Sequence, residues 1–216
     1  MTVAPAVGSP VVLVTAVGEA EGARAAAAAL ACARADAELA TLLVDLGGRA
    51  PRPTLLASAA AQRLEERLAA HLPAARVAAR GQVCQLSLPA DGGGLEAAAA
   101  AVSVARGGLA ALHLPPTFLR AALEGVGPEP TGVLLRAEVA ADRALLSLLV
   151  HDLLERRLAV AVLKSRLGWV VERRAHFGAL APDAAGALPP AVLRRLAPPR
   201  AEPEPPIPAA GAALAQ

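Results

Sequence analysis

Aromatic side chains are nearly absent from this sequence of 216 residues, which contains two Phe, one Trp and no Tyr. Proteins that bind single-stranded nucleic acids stack the bases on aromatic side chains, so this scarcity argues against such a partner. The net charge is only +2, and the basic residues are spread along the chain rather than clustered. We therefore expect no nucleic acid among the partners of this protein.

Cysteine and long apolar runs are scarce as well. Cys32 and Cys84 lie in no C-x-x-C pattern and have no histidine at metal-ligand spacing, so we expect buried, reduced thiols and no metal site. Alanine makes the mean hydropathy positive, but no stretch of about eighteen residues combines large apolar side chains with an absence of charge. The N-terminal sequence MTVAPAVGSP lacks the basic and apolar regions of a signal peptide. The sequence thus predicts a cytoplasmic protein without a transmembrane segment.

The residues of the familiar hydrolytic sites are also missing. No Ser-His-Asp, Cys-His or paired-carboxylate arrangement can be assembled, and the serines lack the context of a nucleophile elbow. Lysine occurs once, as Lys164, against many arginines, a composition typical of a GC-rich bacterial genome. We predict no catalytic residue.

What the sequence does contain is an alternation of short apolar runs with helical patterns. This alternation predicts an α/β domain with a mostly parallel sheet and helices on both faces, a three-layer sandwich. The predicted strands are Val11–Thr15, Ala40–Asp45, a strand or strand pair within Arg76–Leu88, Leu109–Leu114, Thr131–Arg136 and Leu158–Leu163. The predicted helices are Glu21–Arg34, Leu55–His71, Leu95–Arg106, Thr117–Leu123, Ala140–Arg157 and a further one around Trp169–Arg174.

The domain organisation follows from composition. We predict a flexible N-terminus over residues 1–10, one α/β domain over residues 11–178 and a disordered tail rich in Pro and Ala over residues 179–216. Within the tail, PAVLRRLA (Pro190–Ala197) is interpreted as a frayed end, with a short docking helix as the alternative.

The stretch Val11–Ala31 has the order of strand, glycine-containing turn and helix. In nucleotide-binding α/β folds, the backbone N–H groups and the helix dipole hold a phosphate at such a turn. Ligands of parallel sheets bind beyond the carboxyl ends of the strands. The residues at or just after these ends are Gly18, Asp45, His113, Arg136 and Lys164.

Four segments in order resemble the deviant Walker A ATPases of the MinD/ParA type and the related bacterial tyrosine kinases. VTAVGEAEGARAAAAALA is similar to the family's phosphate loop, and TLLVDLGGRAPRPTLL to the segment that carries an acidic residue near the attacking water. QLSLPADGGGLEAAAAAVSVARGGLAALHLPP resembles the segment that ends in the Walker B strand and a double proline. GVLLRAEVAADRALLSLLVHDLLERRLAVAVL resembles a late strand, helix and strand. The resemblance implies a P-loop NTPase-like fold over roughly Val11–Leu163.

The resemblance also implies where a nucleotide would bind, and the sequence departs from the family at those positions. The implied nucleotide-binding residues are Gly18, Glu21, Gly22, Ala23, Arg24 and Asp45. Ala23 stands at the position of the loop lysine, Arg24 at that of the hydroxyl that ligates magnesium, and His113 at that of the Walker B aspartate. Because phosphoryl transfer depends on positioned positive charge and Mg²⁺, these departures indicate that catalysis has been lost.

The resulting hypothesis is a pseudo-ATPase without a bound cofactor that acts as a scaffold or localisation module. Members of the family work as dimers, on membranes or with polar machines, in pilus assembly, cell division, chromosome partition or polysaccharide export. We therefore expect a protein partner or a homodimer; the pairs Arg173-Arg174 and Arg194-Arg195 leave peripheral membrane contact open. The alternatives are an atypical ATPase that binds ATP and Mg²⁺ through a non-standard loop and, less favoured because G-x-G-x-x-G is absent, a Rossmann-like enzyme.

Overall fold

Seven strands and six helices form the described part of the chain. The computed structural model describes residues 10–17, 22–34, 40–48, 56–105, 107–138, 143–165, 188 and 190–196. The strands are β1 (Val11–Val17), β2 (Thr41–Leu46), β3 (Arg76–Arg80), β4 (Val83–Leu88), β5 (Ala110–His113), β6 (Gly132–Glu138) and β7 (Ala159–Ser165). The helices are α1 (Ala23–Arg34), α2 (Ala59–His71), α3 (Gly92–Val104), α4 (Pro116–Leu123), α5 (Arg143–Glu155) and α6 (Pro190–Leu196).

The described strands form one sheet in the order β3-β4-β2-β5-β1-β6-β7. All neighbouring pairs are parallel except β3 and β4, which run antiparallel and confirm a strand pair within Arg76–Leu88. Parallel neighbours need a crossover connection, and the alternating helices provide it. The predicted α/β class with a mostly parallel sheet is confirmed.

Two hydrophobic cores separate the sheet from the helices on its two faces. One core contains Val12, Val14 and Leu43 together with the alanine-rich face of α1, whose small side chains bring the helix close to the sheet. The other core contains the alternate strand residues, such as Leu13 and Leu42, together with residues of α2, α3, α4 and α5. Because side chains alternate across a strand, the parity of a residue decides which core it joins. The predicted three layers are therefore present.

Polar side chains cap two of the helices whose first residues differ from the predicted ones. Ser58 accepts a hydrogen bond from the backbone N–H of Ala61 (3.2 Å), so α2 begins at Ala59 rather than at Leu55. Asp91 accepts one from the N–H of Gly94 (2.7 Å), and α3 begins at Gly92, ahead of the predicted start. A side-chain oxygen at this position satisfies a backbone donor that has no partner inside the helix.

The segment Pro190–Leu196 is a packed helix, so the interpretation of this segment as a frayed end is wrong. Leu188 and Leu196 are buried, and they join the core on the α1 face of the sheet. The docking-helix alternative is correct, because burying these leucines offsets the entropy of ordering the helix. The other residues of the predicted tail (179–216), the predicted flexible residues 1–9 and the predicted helix at Trp169–Arg174 lie outside the described residues.

Among the described helices, none combines the length and the apolar character that crossing a bilayer requires. Both cysteines are free thiols, Cys84 fully buried and Cys32 partly so. Burial raises the pKa of Cys84 to about 12 and also raises the pKa of Cys32. Both thiols therefore stay protonated at neutral pH, as expected for structural rather than reactive cysteines.

Candidate functional site

Charged side chains meet at the carboxyl edge of the sheet, on the face that α1 covers. Asp45 is the penultimate residue of β2, and its register partner in β5 is His113. Arg136 in β6 is paired with Ala16 of β1. Alternation along each strand places these side chains on the same face as Leu43, Ala111 and Leu134, which pack against α1. Three strands, β2, β5 and β6, thus bring one acid and two bases to the N-terminal end of one helix, and β1 lies between β5 and β6.

Asp45 is the centre of this cluster. Its side chain is only 2% exposed, and each carboxylate oxygen has a charged or polar partner. An Arg24 Nη atom lies 2.5 Å from Oδ2, and His113 Nδ1 lies 2.8 Å from Oδ1. A buried carboxylate is costly unless it is paired and hydrogen-bonded, and these two donors meet that requirement. We refer to Arg24, Asp45 and His113 as the Asp45 cluster.

The hydrogen bond to Asp45 orients the His113 ring. A carboxylate oxygen accepts hydrogen bonds, so His113 donates from Nδ1 to Oδ1 of Asp45. The His113 side chain is 19% exposed, whereas that of Arg24 is 47% exposed. The acid is therefore enclosed by the chain's own bases, and water reaches the cluster mainly from the side of Arg24.

The turn after β2 completes the enclosure of the carboxylate. Ser87, the register partner of Asp45 in β4, donates a hydrogen bond from Oγ to the carbonyl of Gly48 (2.9 Å). This bond holds the Gly48 backbone against the Asp45 cluster. A Cβ atom at Gly48 would overlap both the carboxylate of Asp45 and the guanidinium of Arg24. Glycine is thus required here for close approach, and the backbone is not in the left-handed region.

We expect Gly48→Ala to lower the free energy of unfolding by about 1–3 kcal/mol, because the added methyl group must push the ion pair apart. The matched control is Gly92→Ala at the start of α3, where a Cβ atom meets nothing within 4 Å and alanine favours the helix. Urea denaturation of the two variants measures the difference. A Gly48→Ala protein as stable as the Gly92→Ala protein would contradict the close packing described for Gly48.

The start of α1 lies beside a second arginine. Gly22 has a φ of +86°, a conformation that glycine adopts without strain, and its carbonyl accepts the N–H of Ala26 in the first turn. A Cβ atom at Gly22 would lie 3.3 Å from Nε of Arg136. Arg136 is 2% exposed, and its Nη1 donates to the carbonyl of Leu163 (3.3 Å). The backbone entry to α1 therefore passes directly over a buried guanidinium.

The structure brings together four of the six predicted binding residues, which are Gly22, Ala23, Arg24 and Asp45. Gly18 and Glu21 lie outside the described residues. Ala23 is buried at 5% exposure and presents a methyl group where the resemblance implies a lysine. The four described residues are therefore close in space, and Asp45 is bonded to Arg24.

Position at a strand end did not assign partners to Asp45. Arg24 and His113 bond its carboxylate. The arginines that follow it in the sequence, Arg49 and Arg52, lie outside the described residues. The available signal was the position of each residue at a strand or helix end, since the carboxyl ends of parallel strands share one edge. The sequence does not state which strands are neighbours, and so it did not assign the pairs.

The chemistry of the Asp45 cluster is limited because both oxygens of the carboxylate are already bonded to Arg24 and His113. Within the described ranges, no three His, Cys, Asp or Glu side chains come together as a metal site. In the Asp45 cluster, one buried carboxylate lies between two hydrogen-bond donors, beside the N-terminus of α1.

A comparison with models of known families, with curated proteins and with solved structures found no significant match to this chain.

Proposed function

We propose that this protein is a degenerate relative of the MinD/ParA-type P-loop ATPases, a pseudo-ATPase that acts as a scaffold or localisation module. The ion pair between Arg24 and Asp45 carries this proposal. Arg24 stands where the resemblance implies the hydroxyl that ligates Mg²⁺, and Asp45 where it implies the acid near the attacking water. The chain's own guanidinium therefore neutralises the carboxylate that nucleotide chemistry would use.

The burial of Asp45 supports the proposal of a pseudo-ATPase. A metal ion or a metal-bound water would have to displace Arg24 from Oδ2, because the carboxylate side chain is only 2% exposed. His113 holds the other oxygen from the position of the Walker B aspartate, so the second acid of the family is replaced by a donor to the first. Catalysis of phosphoryl transfer depends on positioned positive charge and on Mg²⁺. With Arg24 in place of the hydroxyl and His113 in place of the Walker B aspartate, the two side chains that the resemblance implies for Mg²⁺ are absent.

The surface supports an interaction role. Leu145 and Leu148 of α5 are 56% and 68% exposed, and they are neighbours on the helix surface because they are three residues apart. Leucines that remain this exposed side by side form an apolar patch of the kind found at protein contacts. We therefore propose that the protein binds a protein partner or forms a homodimer. The resemblance implies a role in localisation, pilus assembly, cell division or partition.

The second candidate is an ATP-binding protein that uses a non-standard cation, and Arg136 favours it. This guanidinium lies at the edge where the resemblance implies a phosphate, directly beneath Gly22 at the start of α1. Arginine binds phosphate well, and the N-terminus of a helix adds a favourable dipole. In this version Arg136 supplies the charge that Ala23 does not.

The two candidates are separated by titrating the protein with a fluorescent ATP analogue and Mg²⁺ and by following its thermal unfolding. For the pseudo-ATPase we expect no saturable binding and an unchanged Tm at about 1 mM ATP. A micromolar Kd at that concentration would stabilise the fold by about 4 kcal/mol and raise Tm by roughly 8–16 °C. Such a shift would refute the pseudo-ATPase, and its loss in Arg136→Gln would establish the second candidate.

A further inference from the structure

An apolar groove runs along the last strand of the sheet. It has a volume of about 370 Å³ and lies between α5 on one face and α6 on the other. We call it the β7 groove, and its lining residues are Val150, Leu154, Val160, Ala161, Val162, Val192 and Arg195. Among the described strands, β7 pairs with β6 alone and ends the sheet. The groove thus follows a strand edge, a place where proteins avoid leaving apolar surface uncovered.

We propose that the β7 groove binds a segment of the same chain, residues 166–171 with the sequence RLGWVV. We call it the Trp169 segment. It follows β7 immediately in the sequence and contains the only tryptophan of the protein. Its large apolar side chains need cover, and the groove is an apolar surface lined by the same strand that the segment follows.

The chain lengths fit this contact. From Ser165 back to Val162 along β7 is about 10 Å, at roughly 3.3 Å per residue. From Ser165 onward to Trp169 the chain can reach about 14 Å. The segment is therefore long enough for Trp169 to reach Val162 if the chain reverses direction after β7, and its sequence contains a glycine, Gly168, a residue type favoured in tight turns.

The chain also returns to this edge. Leu188 is buried in the core on the α6 side of β7, together with Leu196 and Ala161. The stretch 166–187 therefore connects the end of β7 to a buried residue that comes two positions before α6, and both β7 and α6 line the groove. A second chain would have to compete with a segment that is covalently held close by, at a high effective concentration.

The lining of the groove matches an indole. Most of it is aliphatic, and the exposed Arg195 on α6 adds one cation at the rim. Tryptophan combines a large apolar ring with a face that attracts a guanidinium and an N–H that can meet water. The Leu154 side chain is 45% exposed, and such a ring would cover it.

The test uses the fluorescence of the protein's single Trp, which no Tyr obscures. In the full-length protein we expect Trp169 emission that is blue-shifted from that of free tryptophan amide and protected from acrylamide. Leu154→Glu, and the milder Leu154→Gln, should shift the emission to the red and increase quenching. The control is Leu148→Glu, a more exposed leucine of the same helix that does not line the groove, and it should change neither signal.

Circular dichroism confirms that each variant is folded, and Leu154→Gln keeps the test valid if Leu154→Glu is not. Solvent-exposed emission in the wild-type protein would overturn the proposal, as would equal responses of the Leu154 and Leu148 variants. Protection that falls on dilution, together with a dimer in size-exclusion chromatography that Leu154→Gln dissociates, would also overturn it and assign the groove to a second copy. None of these readouts depends on nucleotide, so they are independent of the proposed function.

Discussion

Asp45→Ala is expected to lower the free energy of unfolding by about 2 kcal/mol and Tm by roughly 4–8 °C. The substitution removes the acceptor of two hydrogen bonds and leaves His113 Nδ1 and the Arg24 guanidinium without their shared partner. Breaking a fully buried ion pair costs more than this, but Arg24 is half exposed and can turn towards water. Thermal unfolding by circular dichroism provides the measurement.

The matched control is Asp152→Ala on α5. Asp152 also accepts from an arginine, Arg156 at 3.1 Å, but its side chain is 50% exposed. Exposed pairs with this spacing contribute about 0.3–0.5 kcal/mol, so Tm should change by no more than about 2 °C. If the two alanine variants lose the same stability, the burial of Asp45 has no energetic consequence and its place at the centre of the cluster is wrong.

Ala23→Lys combined with Arg24→Ser is expected to restore binding of Mg²⁺ and ATP. The change frees the carboxylate of Asp45 and installs the lysine and the hydroxyl that the resemblance implies at these positions. A Kd of about 0.1 mM at 1 mM ATP corresponds to about 1.4 kcal/mol, a rise in Tm of roughly 3–5 °C that the wild-type protein should not show. Thermal unfolding with and without nucleotide measures this.

The control for the restored site is Ala23→Gln combined with Arg24→Ser, which frees Asp45 without adding a positive charge. It should bind more weakly than the lysine variant, because phosphate recognition needs the cation. Equal shifts in both double variants would show that the lysine position does not face the phosphate. If nucleotide leaves both variants unchanged, although they are folded, the edge does not retain the shape of a nucleotide site and the descent we propose loses its support.

Much of the fold could be predicted because its signals are local. Continuous apolar runs such as Leu42–Val44 indicate buried parallel strands. In the segments between them, apolar residues recur every three to four positions, which indicates helices. The helix starts at Ala59 and Gly92 were harder, although Ser58 and Asp91 are typical capping residues. The helix Pro190–Leu196 was misjudged because proline and alanine around it dominate the composition, while its stability comes from the burial of Leu196 against the sheet.

The candidate site was predictable in position but not in its pairing. Asp45, His113 and Arg136 each follow an apolar run, so their location at strand ends could be inferred. The bond between Asp45 and His113 joins residues 68 positions apart and depends on β2 lying next to β5, which is a property of the sheet order. The pairing of Arg24 with Asp45 depends likewise on how α1 crosses the sheet. Local sequence does not encode either relation.

A double-mutant cycle of Arg24→Ala and Asp45→Ala tests the central claim, that the chain's own arginine holds the carboxylate at the centre of the candidate site. Urea denaturation of the wild-type protein, both single variants and the double variant gives the coupling free energy. We predict a coupling of about 1–2 kcal/mol, because the two charged groups lie 2.5 Å apart and the acid is buried. Effects that add within about 0.3–0.5 kcal/mol would contradict the account, since independent residues behave in this way.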